Sequence, residues 1–171
     1  MKALIFVGSE REHSYTAALA RAVGQALEPV GIGYETVPAA PWQSGAAGLL
    51  DRLADADAVV LVTPVYHAGY SALLKGVLDG LPGDALAGKA VALAANGSGP
   101  RSGSAVCDQL RTVARAMGGW VVPTQVAGCP DDFLPAGGAP AAPTPELAER
   151  CAQVAAELQR LAAAFRAPAV V

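Results

Sequence analysis

Short apolar runs and amphipathic stretches alternate along the chain. "KALIFVG" (2–8) is a continuous apolar run, as a strand buried on both faces requires. From Ser14 to about Leu27 the spacing is helical, with Leu19, Val23 and Leu27 four residues apart, and Pro29 and Gly31 end it. "GYETVP" (33–38) predicts a second strand, 38–48 a loop and "LLDRLADA" (49–56) a short helix. "DAVVLVTP" (57–64) is the clearest strand, followed by an amphipathic helix over 71–81. "GKAVALAAN" (88–96) predicts a fourth strand, and Val106, Leu110, Val113 and Met117 mark a helix from 104 to about 117. "GWVVPTQVA" (119–127) predicts a fifth strand. Residues 130–145 are rich in Pro, Gly and Ala and read as a long loop, before a last helix from Pro145 to Arg166. The tail 167–171 reads as frayed.

Five alternations of strand and helix predict an α/β fold, a parallel sheet with right-handed crossovers and helices on both faces. Nothing in the composition breaks the chain, so 1–171 reads as a single domain. In such sheets the ligand lies beyond the carboxyl ends of the strands, where the strand order switches. That places weight on "GSEREHS" (8–14), "TPVYHAGYS" (63–71) and "NGSGPRSGS" (96–104).

Composition narrows the function. Hydrophobic residues make up 53% and charged residues 16% of the chain, a balance that argues against disorder. The net charge of −3 offers no basic field for nucleic acid or an anionic membrane. No apolar stretch is long enough to span a bilayer, and 3–8 is too short for a signal-peptide core. Cys107, Cys129 and Cys151 are odd in number and far apart, which points to idle thiols in a reducing cytoplasm rather than a disulfide framework or zinc site.

The loops carry the chemistry. In the first, Ser9, Ser14 and Thr16 offer hydroxyls and Arg11 a guanidinium that can fork onto phosphate oxygens beside a helix N-terminus. The loop lacks the lysine of a triphosphate-binding loop and suits a terminal monophosphate. Ser14 as a plain helix cap and Arg11 as a solvated charge stand as the alternative. In the second loop, Pro64 follows a buried strand, and Tyr66, His67 and Tyr70 crowd a chain poor in aromatics. With Val65, Tyr66 and His67 offer a wall for a flat ring, whereas Tyr70 reads as packing. His67 and His13 have no carboxylate cluster for a metal, and Lys75 and Asp79 read as an intrahelical ion pair. In the third loop, glycines at 97, 99 and 103 would admit a ligand close to the backbone.

These segments resemble the NAD(P)H-dependent FMN reductase family. The likeness rests on "GSEREHSYTAALA" (8–20), "TPVYHAGYSALLKGVLDGLP" (63–82) and "GKAVALAANGSGPRSGSAVCDQLRTVARAMGGWVVP" (88–123), and is nearest in look to the alkanesulfonate-type flavin reductases. The resemblance implies a flavodoxin-like three-layer sandwich with a five-stranded parallel sheet in the order 2-1-3-4-5. It implies that Ser9, Arg11, Ser14 and Thr16 hold the FMN phosphate. Pro64, Val65, Tyr66 and His67 would line the ribityl chain and ring, and Asn96, Gly97, Ser98 and Gly99 the far edge of the ring. Position 67 is often Asn in the family. The implied reaction is hydride transfer from NAD(P)H to flavin N5, with no catalytic side chain required. Electrons would pass on to a flavin-dependent monooxygenase or a small acceptor; an FMN-bound quinone, azo or nitro reductase is the alternative, and a flavodoxin-type carrier a more distant one. A homodimer or homotetramer is implied as well.

Overall fold

The computed structural model describes residues 1–38, 48–136 and 139–166. The elements run β1 (Lys2–Val7), α1 (Tyr15–Leu27), β2 (Gly33–Pro38), α2 (Leu49–Ala54), β3 (Ala58–Tyr66), β4 (Gly69–Tyr70) and α3 (Ala72–Asp79). They continue as β5 (Ala90–Asn96), α4 (Pro100–Ala116), β6 (Trp120–Val121), β7 (Val126–Gly128), β8 (Phe133–Ala136), β9 (Ala139–Pro143) and α5 (Pro145–Arg166). The main sheet is parallel in the order β2-β1-β3-β5-β6, with β7 continuing along β5 beyond β6. Counted by the predicted strands, this is the flavodoxin-like order 2-1-3-4-5; β4 and the division of the last strand bring the sheet to 7 strands.

Alternation along the strands sorts the core into two layers. Ala3, Ile5, Val7, Val60, Val62, Ala92 and Ala94 pack with α1 and α5. Leu4, Phe6, Val59, Leu61, Val91 and Leu93 pack with α2, α3 and α4. Both faces are covered, which is why the strands read as unbroken apolar runs. Each fully buried large side chain contributes roughly 1.5–3 kcal/mol.

Three predicted elements differ from the structure. The fifth strand divides into β6 and β7 around Pro123, which has no N–H to give the ladder. Arg111 from α4 holds the break, with Nη1 donating to the Val122 carbonyl at 2.8 Å and Nη2 to that of Pro123 at 3.1 Å. From the other face, Glu157 of α5 accepts from the Thr124 N–H at 2.9 Å and hydroxyl at 2.6 Å. The predicted loop over 130–145 contains a 3-10 turn (Pro130–Asp132) and the antiparallel hairpin β8–β9. Phe133 anchors it, 6% exposed and packed against the Tyr15 ring, centroids 5.4 Å apart and planes tilted by 48°. Helix α4 starts at Pro100, earlier than the hydrophobic spacing indicates, because a first-turn proline needs no N–H partner. Residues 39–47 of the loop predicted over 38–48, and the tail 167–171, lie outside the described residues.

Candidate functional site

The first loop leaves β1 where Val7 pairs with Val62 of β3, and the Gly8 N–H continues the ladder to the Val62 carbonyl at 2.8 Å. Ser9 is buried. Its Oγ lies 3.1 Å from Ser14 Oγ and accepts the Arg11 N–H at 3.3 Å. Ser14 is the N-cap of α1, its hydroxyl accepting from the Ala17 N–H at 3.1 Å. Capping thus occupies one lone pair of Ser14 and fixes the loop. The Tyr15 and Thr16 N–H groups, in the first turn, have no intrahelical acceptor. Thr16 is buried, whereas the Arg11 side chain is exposed. Arg21, which sequence inspection passes over, braces this loop by donating to the Glu12 carbonyl at 3.4 Å. A cavity of about 380 Å³ opens on the β2 side of the loop, lined in part by Ser9, Arg11, Ala20, Arg21 and Thr36. It includes none of the predicted residues from the second and third loops.

The second loop is a tight hairpin. Strand β3 runs on through Pro64 and Val65 to Tyr66, and Val65 and Tyr66 pair with Tyr70 and Gly69. Between them His67 and Ala68 hold φ values of 49° and 61°. Both are left-handed, the pattern of a type I′ turn, which favours Asn or Gly. Gln109 of α4 holds the turn from outside, with Nε2 donating to the Ala68 carbonyl at 2.9 Å. From inside, the buried Thr63 Oγ1 accepts the Ser71 N–H at 2.9 Å, and Ser71 Oγ caps α3 by accepting from Leu74 N at 3.2 Å. Pro64 is buried, Val65 half-buried and Tyr66 48% exposed; His67 stands exposed at the turn. Tyr70 packs against the core, as the sequence reading has it, and Lys75 and Asp79 form the intrahelical ion pair.

The third loop leaves β5 at Asn96, with Pro64 of β3 as its register partner on one side and Gly128 of β7 on the other. Asn96 is buried, and its Oδ1 has no hydrogen-bond partner among the described residues. The Gly97 N–H is committed to the Gly128 carbonyl at 2.9 Å. Ser98 is exposed and Gly99 caps α4. The protein's own packing requires two of the glycines. A Cβ on Gly97 would lie 2.0 Å from Ser102 Oγ, and one on Gly103 would lie 2.7 Å from the Ala95 carbonyl. Gly99 has open space around it.

Strand pairing brings the three loops to one edge of the sheet. Val7 neighbours Val62, Pro64 neighbours Asn96, and Asn96 neighbours Gly128. The order β2-β1-β3 puts the switch point between β1 and β3, directly beside Ser9 and Pro64. Gly128 joins this edge without any signal in the sequence. Among the described residues no group of three or more His, Cys, Asp or Glu side chains could hold a metal ion. The thiols are buried and unpaired; burial pushes Cys107 and Cys151 up to about 12 and raises Cys129 as well. None is a poised nucleophile. The donors gathered at this edge are hydroxyls, backbone N–H groups and the exposed Arg11 guanidinium.

Known proteins share this fold. A family profile described as NADPH-dependent FMN reductase matches residues 1–130. An FMN-dependent NADPH-azoreductase of Staphylococcus aureus (strain USA300) is 34% identical over 150 residues, covering 78% of this chain and 79% of its own. Among solved structures, an oxidoreductase from Corynebacterium diphtheriae superposes with a TM-score of 0.76 at 27% identity, covering 95% of this chain and 97% of that one. The apo form of an NADH:FMN oxidoreductase shares the fold with a TM-score of 0.77 at 24% identity, covering 98% of this chain and 91% of that one. With the match spanning all three loops, the chain belongs to the NADPH-dependent FMN reductase family.

Proposed function

We propose that the protein binds FMN along this edge of the sheet and catalyses its reduction by NADPH. The observation that carries the reading is the convergence of three loops beside the β1/β3 switch, with a preformed Ser9–Ser14 cradle at one end and the unpartnered Asn96 Oδ1 at the other. The residues suit the group. Ser9, Arg11, Ser14, Thr16 and the first-turn N–H groups of α1 supply donors for a phosphate, reinforced by the helix dipole. Pro64, Val65, Tyr66 and His67 supply a wall, and Asn96, Gly97, Ser98 and Gly99 a polar margin. FMN, when bound, supplies the two-electron hydride chemistry. The chain's own task is to bind, orient and exclude water.

Absorbance of the purified protein, followed by NADPH oxidation with added FMN or FAD, tests this reading. A flavin spectrum or FMN-stimulated oxidation supports it; neither, at saturating FMN, sinks it. The azoreductase relative favours a small azo compound as final acceptor, with a quinone or nitro compound, or release of reduced flavin to a monooxygenase, as the other routes. Turnover of an azo dye without added free flavin distinguishes them. A homodimer or homotetramer helping to enclose the flavin belongs to the same reading. The unpaired thiols accord with a reducing, cytoplasmic setting. Among the described residues no helix is long and apolar enough to cross a membrane.

A further inference from the structure

The turn between β3 and β4 runs against the preferences of its own residues. His67 and Ala68 hold φ values of 49° and 61°, a region that glycine and asparagine enter most readily. The nearby glycine, Gly69, falls one place later, paired with Tyr66, and its own φ is not left-handed. Local sequence therefore does not select this turn, and such a conformation persists only where the surroundings impose it. The hairpin itself supplies two residue pairs, Val65 with Tyr70 and Tyr66 with Gly69. Among the described residues one side chain bonds the turn, that of Gln109, with Nε2 donating to the Ala68 carbonyl at 2.9 Å. Its Oε1 lies along the Gly69 side, where a Cβ would come within 4.0 Å of it. Gln109 is exposed on α4, the helix into which the third loop leads, so it has little packing to lose.

We infer that Gln109 is a positioning residue, a latch from the helix of the third loop that holds the 67–68 turn left-handed and so keeps Tyr66 and His67 set as a wall for the flavin. With the latch open, His67 and Ala68 relax toward the right-handed and extended regions that they prefer, and the wall loses its fixed shape. The inference rests on the FMN reading for what the wall faces. It goes further by assigning the shape of the second loop to a residue of another element that touches no ligand.

Hydrogen exchange over 63–71 reads the turn in the unliganded protein, with β5 as the internal control. FMN affinity, from fluorescence quenching, reads what the turn does for a ligand. Gln109→Ala and Gln109→Glu should both speed exchange over 63–71, leave β5 unchanged and weaken FMN about fivefold, as the loss of one neutral hydrogen bond does. Glutamate matches the length and shape of glutamine but has no N–H to give. Gln109→Lys, which keeps a donor, should stay within about twofold of the parent. Ala68→Gly removes the clash that the latch opposes. In the Gln109→Ala background it should recover most of the lost affinity, and in the parent it should change affinity little. Exchange and affinity of Gln109→Ala both within about twofold of the parent would overturn the inference. So would Gln109→Glu behaving as the parent, because the donor would then be idle, or a loss in Gln109→Ala that Ala68→Gly leaves in place. Faster exchange with unchanged affinity overturns it too, since the latch would hold the turn without serving the site. Parent protein that binds no FMN defeats the functional reading, a distinct outcome, and the exchange contrast then decides the latch by itself.

Discussion

At the scale of single residues, Arg11 is exposed while the hydroxyls it accompanies are engaged with one another or with the backbone. On the proposed reading its guanidinium acts on the charge of a bound phosphate. Arg11→Ala should weaken FMN by about 2 kcal/mol, roughly thirtyfold, and riboflavin hardly at all. Equal losses for the two ligands in a titration would remove Arg11 from the phosphate site. The hairpin turn offers a second case. Ala68 at φ 61° carries a Cβ in the left-handed region, where glycine is free of the clash. Ala68→Gly should stabilise the protein by about 1 kcal/mol in urea unfolding, provided Gln109 keeps its bond to the carbonyl at 68. His67→Asn should keep both fold and activity, because Asn adopts the same backbone region readily. A folded, FMN-saturated but inactive His67→Asn would show that the imidazole does more than line a wall.

At the scale of elements, the end of α5 is tied to the start of β3. Arg166 Nε donates to Asp57 Oδ1 at 2.6 Å and Nη2 to Oδ2 at 2.9 Å, while the Lys2 N–H reaches Oδ2 at 2.8 Å. Burial alone would raise the Asp57 carboxyl, but the Arg166 guanidinium and the Lys2 N–H outweigh it and hold the group below its ordinary value. An acid depressed in the folded state stabilises that state above the unfolded pKa of about 3.9. The contribution is lost as pH falls through the lower folded value. Asp57→Asn should therefore cost about 1 kcal/mol at neutral pH, a modest figure because Arg166 is solvent-exposed. Its melting temperature should converge on that of the parent below about pH 4. A constant difference across the acid limb would show that the clamp does not act through charge. Arg150 plays a similar part near the site, bonding the Ala127 carbonyl at 3.2 Å and Asp132 at 3.0 Å, and so steadies the segment that carries Gly128.

At the scale of the whole molecule, FMN binding should report itself as stability. Free FMN at a hundred times its Kd adds about 2.7 kcal/mol to the folded state. For a chain of this size that is a rise of roughly 5–10 °C in Tm. FAD at the same concentration should raise Tm less, because the cradle suits a terminal phosphate; an equal rise would argue against FMN preference. Light scattering at micromolar concentration should show a dimer or tetramer, and a fully active monomer would remove the proposal that a second copy helps enclose the flavin.

Much of this architecture is legible in the residues alone. Strands buried on both faces need continuous apolar runs, so "ALIFV" and "AVVLV" announce a parallel sheet before any contact is known. The polar loops after them mark the carboxyl edge, since a loop that must hold a charged group cannot be apolar. Local chemistry also identifies Lys75–Asp79 as a pair and offers Ser14 as a cap, the alternative to a phosphate ligand, because partners three or four residues apart meet on any helix. Other features arise only when distant segments meet. The hairpin at 133–143 depends on Phe133 finding Tyr15, far away in the chain, and its Pro- and Ala-rich sequence has no strand period to reveal it. Pro123 marks where the last strand divides, but Arg111 and Glu157, which hold the break from opposite faces, reach it from distant helices. That Gly97 and Gly103 also answer to packing appears only when the neighbours that exclude a Cβ are seen to be Ser102 and Ala95. Asn96 is one polar letter at the end of a strand. That its oxygen is buried without a donor is a property of everything around it, and sequence order cannot state what is missing from a three-dimensional neighbourhood.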